Sequence, residues 1–96
     1  MQTRRKYRNT ETIQGQRIKV YDTGPKTIDR YTVIYLDIIE GPHGENMYLG
    51  MSAYPFHPQG FAQHGHCFDG PHLGEQIKFA DLPADCQKAV DQDLTD

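Results

Sequence analysis

The sequence predicts an α+β domain: a small, mainly antiparallel sheet of three to four strands, packed against one C-terminal helix, with a long loop rich in glycine, proline and histidine. Three observations predict it. Strand-length segments with alternating or β-branched character stand at 17–21, 31–40, 46–51 and 76–79. An apolar stripe at helical spacing, Leu82, Cys86, Ala89, Val90 and Leu94, lies near the end of the chain. Residues 50–74 keep neither period, yet they are rich in aromatic and histidine side chains.

The elements follow in order. Residues 1–16 are polar, with Tyr7 and Ile13 as their large apolar groups, and read as a basic arm or tail; 17–96 read as a single α+β domain. Arg17-Ile18-Lys19-Val20-Tyr21 alternates and reads as a half-buried strand, and Asp22-Thr23-Gly24-Pro25-Lys26 as the turn that ends it. Tyr31 to Glu40 is the strongest strand, with Ile34, Leu36 and Ile38 on one face and Val33, Tyr35 and Asp37 on the other, partly covered. Gly41-Pro42-His43-Gly44 breaks it. Asn46 to Met51 then returns with Met47, Leu49 and Met51 on one face, as an antiparallel hairpin. After residues 50–74, Gln76-Ile77-Lys78-Phe79 reads as a short strand. Asp81 then caps the final helix, with Pro83 in its first turn and Asp85 favoured by the helix dipole.

Length and charge exclude several classes. Ninety-six residues suit one domain with one modest core. No run of about 18 apolar residues exists, so no membrane-spanning helix is expected. The formal net charge is −3, from 10 Lys+Arg against 13 Asp+Glu. That balance speaks against a dedicated nucleic-acid binder, except through Arg4, Arg5, Lys6 and Arg8 of the arm. The basic start has no apolar segment behind it, so no secretory leader is read and the expected location is cytoplasmic. Two cysteines, Cys67 and Cys86, make no disulfide scaffold, and both are expected to be free thiols.

The chemistry concentrates in residues 50–74. A loop this long inside a small domain is uncommon unless it is functional or packed on its own side chains. Three readings stand side by side. In the first, the loop binds a small polar or anionic ligand or a protein partner: Tyr54, Phe56 and Phe61 supply walls, His57, Gln59, Gln63 and His64 directed hydrogen bonds, and Arg30 a charge for an anion. In the second, His64, His66 and Cys67, with His57, hold zinc in a structural or hydrolytic site, since imidazole and thiolate suit that ion. In the third, the loop only covers one end of the sheet. No catalytic residue is assigned. Cys67 beside His66 is the minimum for a thiol nucleophile, but neighbours in an extended segment point opposite ways. The leading expectation is a non-catalytic binding protein, without a cofactor, as a monomer or homodimer.

Asp29-Arg30-Tyr31-Thr32-Val33, Gly50-Met51-Ser52, Pro55-Phe56-His57-Pro58-Gln59-Gly60-Phe61 with Gln63-His64-Gly65, and the closing Asp81-Leu82-Pro83-Ala84-Asp85-Cys86-Gln87 carry a resemblance. The chain resembles a family of small uncharacterised proteins of bacteria, phages and mobile elements. The resemblance spans residues 18–94 and implies a site in the loop and no particular reaction. It implies an accessory role by binding, for instance to a host defence component. Ala62 and the His66-Cys67 pair depart from the family's pattern.

Overall fold

In a computed structural model, residues 10–95 are described. They form six strands and one helix: β1 (Glu11–Ile13), β2 (Gln16–Asp22), β3 (Tyr31–Ile39), β4 (Asn46–Met51), β5 (Ala62–Cys67), β6 (Glu75–Ile77) and α1 (Ala84–Thr95). The broad α+β class holds, but the expected sheet of three to four strands is corrected to six. Every pairing is antiparallel, in the order β1-β2-β3-β4-β5, with β6 also on β2.

The two added strands lie where alternation is weak. Glu11–Ile13, read from sequence as part of an arm, pair with β2 through a two-residue turn. Gln14 and Gly15 have φ of 51° and 82°, the backbone of the turn whose twist matches a hairpin. Gln14 then donates from Nε2 to the Asp91 carbonyl at 3.1 Å, which ties the hairpin to α1. Ala62–Cys67, read as loop, forms six rungs with β4, from Asn46↔Cys67 to Met51↔Ala62. The arm residues Arg4, Arg5, Lys6, Tyr7 and Arg8 lie outside the described residues.

The core sits between α1 and one sheet face. Ile18, Val20, Tyr31, Val33, Tyr35, Leu49 and Met51 meet Leu82, Cys86 and Val90 there. The helical stripe is thus where the spacing placed it. On β3 the assignment of faces shifts: Val33 and Tyr35 face the helix, fully buried, while Ile34 is fully buried on the opposite face. The segment between β5 and β6 reaches that second face through Asp69. Asp69 accepts the Tyr21 hydroxyl, and the Lys19 ammonium reaches it at 2.9 Å. The helix begins at Ala84, two residues later than a cap at Asp81 would place it. Asp81 instead accepts the Lys78 N–H at 3.1 Å and closes a 3-10 turn at Phe79–Asp81.

Candidate functional site

Two hairpin loops meet at one end of the sheet. Residues 23–30 join β2 to β3, and residues 52–61 join β4 to β5. Between them lies an open cleft of about 540 Å³ lined by Thr27, Ile28, Ser52, Tyr54, His57, Gln59 and Gly60.

The 52–61 loop is built from two successive turns, each led by proline. His57 N–H donates to the Tyr54 carbonyl at 3.2 Å, across Pro55-Phe56. Gly60 N–H donates to the His57 carbonyl at 2.8 Å, across Pro58-Gln59. Proline presets the backbone at the second position of such turns. Ser52 closes the loop at its root: its hydroxyl oxygen accepts from Tyr54 N–H at 3.2 Å and Phe61 N–H at 3.0 Å. Its own N–H donates to the Phe61 carbonyl at 2.9 Å. The Ser52 carbonyl accepts from the buried Cys86 thiol at 3.2 Å, which anchors the loop to α1. Gly60 admits no side chain, because a Cβ there would stand 1.7 Å from the Tyr54 carbonyl oxygen.

His57 is fixed within the loop. Its Nδ1 accepts the Gln59 N–H at 3.1 Å, so this nitrogen carries no proton in the bond and Nε2 carries it, facing outward as a donor. The opposing loop is held as firmly. Arg30 grips Asp22 with two nitrogens, at 2.8 and 3.1 Å, and Thr23 N–H donates to the Arg30 carbonyl at 2.9 Å. The Arg30 guanidinium holds the Asp22 carboxyl below its ordinary range, chiefly by hydrogen bonding. Arg30 also lies over the Tyr31 ring, 5.0 Å from its centroid.

The structure sorts the candidates. Tyr54, His57 and Gln59 line the cleft, and Phe56 is exposed on the same loop. Phe61 closes the root of the loop. Gln63 and His64 lie on β5, outside the cleft. Arg30 is engaged by Asp22 at 2.8 Å, which makes it a staple of the 23–30 loop. Thr27 and Ile28 enter unannounced. Their one signal was an exposed isoleucine in an otherwise polar turn, and Ile28 is 75% exposed.

The zinc set does not converge in one chain. Alternation along β5 puts His64 and His66 on one face and Cys67 on the other. His64 Nε2 is 2.9 Å from Asp93 Oδ1, and His66 Nε2 is 3.3 Å from Glu40 Oε1. Asp93 is shared: the buried Tyr35 hydroxyl donates to its other oxygen at 2.6 Å. His57 belongs to the cleft. Among the described residues, no group of three or more His, Cys, Asp or Glu could hold a metal ion. Both thiols are held protonated by burial, with Cys86 pushed up to about 11 and Cys67 raised as well, so neither is primed as a nucleophile.

No family model, curated protein or solved structure matches the chain. Among the described residues, no helix is long and apolar enough to cross a membrane.

Proposed function

We propose that this is a non-catalytic binding protein whose 52–61 loop and the facing Ile28 recognise an extended segment of a protein partner. The observation that carries this reading is a loop closed by its own hydrogen bonds that holds apolar side chains out in solvent. Tyr54 is 67% exposed and Phe56 49%, on a backbone fixed by Ser52, Gly60 and two prolines, and Ile28 on the facing 23–30 loop is 75% exposed. Fully burying an exposed side chain of this size is worth about 1.5–3 kcal/mol, and proportionately less at Phe56, which is already half covered. Fixing the loop beforehand lowers the ordering cost of association.

A peptide segment fits better than a small anion. The cleft is open, its rim is apolar, and Arg30 is already paired. The outward Nε2 of His57 and the Gln59 amide supply directed hydrogen bonds beside the aromatic surface, the usual division between affinity and specificity. In the setting that the family resemblance implies, the partner would be a host protein.

The test is selection of displayed random peptides on the full chain, followed by affinity measurement on variants. Selected peptides should bind at least tenfold more weakly to Tyr54→Ala and to the double variant His57→Ala, Gln59→Ala, with melting unchanged within a few degrees. Peptides whose affinity ignores all three substitutions would place recognition elsewhere.

A further inference from the structure

Strand β5 has a free side. It pairs with β4 alone, and among the described residues no backbone hydrogen bond reaches its outer edge. Proteins usually protect such edges with lysine, other charges, proline or a bulge. Ala62-Gln63-His64-Gly65-His66-Cys67 has none of these and runs in unbroken register with β4.

The edge is also nearly symmetric about Gly65. An antiparallel pairing of two copies with Gly65 opposite Gly65 places His64 of each across from His66 of the other. It places Gln63 across from Cys67, and Ala62 across from Phe68. Phe68, 53% exposed, would then be covered. Gly65 leaves the reverse face clear for the Tyr48 ring, whose hydroxyl lies 2.6 Å from where a Cβ would stand.

The histidines make this register chemically distinctive. All four imidazoles would share one face, with α-carbons about 4.5–5.5 Å apart across the joint and about 6.8 Å apart along each strand. Imidazoles so spaced can converge on an ion that takes nitrogen at about 2.0–2.1 Å. Each His64 and His66 has Nε2 against a carboxylate, Asp93 or Glu40, leaving Nδ1 for the ion. A carboxylate behind a ligating imidazole fixes its tautomer and raises its basicity. One chain supplies only half of this set, so the site is incomplete without the second copy.

We propose that β5 docks on β5 of a second copy of this chain, and that the joint binds one divalent ion of the zinc class through His64 and His66 of both. This is independent of the cleft, whose residues take no part in it.

The experiment is native mass spectrometry with light scattering on the full chain, with zinc chloride and with chelator. The expected result is a dimer with one zinc per two chains, at least tenfold weaker in association after chelation. His64→Ala and the milder His66→Asn should each abolish the zinc-dependent dimer while the circular dichroism spectrum stays unchanged. Cys67→Ser should leave the dimer intact. Amide exchange along β5 should slow at least tenfold on adding zinc. A chain that stays monomeric with zinc, a dimer indifferent to His66→Asn, or zinc lost with Cys67→Ser would each overturn the proposal.

Discussion

At Gly60 one methyl group decides the shape of the cleft. Alanine there would drive Cβ to 1.7 Å from the Tyr54 carbonyl oxygen, and that oxygen is fixed by the turn it closes with His57. The second turn must open. Gly60→Ala should cost about 1–3 kcal/mol, the usual range for overpacking. A domain of this size carries about 5–15 kcal/mol, so the fold should survive. Thermal melting should fall by several degrees and peptide binding should be lost, while the circular dichroism spectrum is retained. Ser52→Ala is the companion case: it strands two N–H groups that share one oxygen, at about 1–3 kcal/mol if they stay unpaired. The Pro-Phe-His-Pro-Gln-Gly run was legible as a structured loop because proline and glycine fix turns locally. The role of Arg30 was not legible, because Asp22, its partner, comes from the other end of a hairpin loop.

Elements differ in how far local chemistry specifies them. Tyr31–Ile39 is strand by composition and α1 is helix by stripe, and both stand as expected apart from their boundaries and faces. β1 and β5 could not be read this way. A hairpin turn with positive φ at both positions normally announces itself as Asn-Gly or Asp-Gly. Here Gln14 takes the first place and is held by contacts to Asp91 and Thr95 on α1, remote in sequence. β5 lacks β-branched and bulky apolar residues, so its strand form comes from the ladder to β4. The β1 turn gives a direct check. Gly15→Ala puts a side chain at φ 82°, costing about 1–2 kcal/mol. Amide exchange should speed up across Glu11–Ile13 and leave β3 and β4 protected. Equal acceleration in all strands would show that the hairpin is not a separable unit.

At the scale of the whole molecule, the two faces of the sheet are closed by different physics. The helix face is apolar. The opposite face buries Ile34 and adds a polar tie: Asp69, just after β5, meets Tyr21 and Lys19 of β2. Burial pushes the Asp69 carboxyl up, but the Tyr21 hydroxyl, the Lys19 ammonium and the Gly70 N–H together hold it below its ordinary range. A carboxyl lowered on folding stabilises the fold at pH above its unfolded value, about 3.9. That contribution is lost as pH falls through the lower folded value. Asp22, lowered by Arg30, acts with the same sign. Melting temperature should therefore drop as pH falls below about 4, and Asp69→Asn should flatten that drop while lowering stability at pH 7. An Asp69→Asn variant as acid-sensitive as the parent would show that Asp69 does not contribute to the acid transition.

The cleft between the 23–30 and 52–61 loops is proposed as a ready-made recognition surface. Its most direct test is nuclear magnetic resonance titration of the full chain with a selected peptide. The predicted result is a compact set of shifted amides at Thr27, Ile28, Ser52, Tyr54, His57 and Gln59, with loop exchange rates already slow before the peptide is added. Shifts centred on β5 or on α1, or a loop that becomes ordered only on binding, would contradict it.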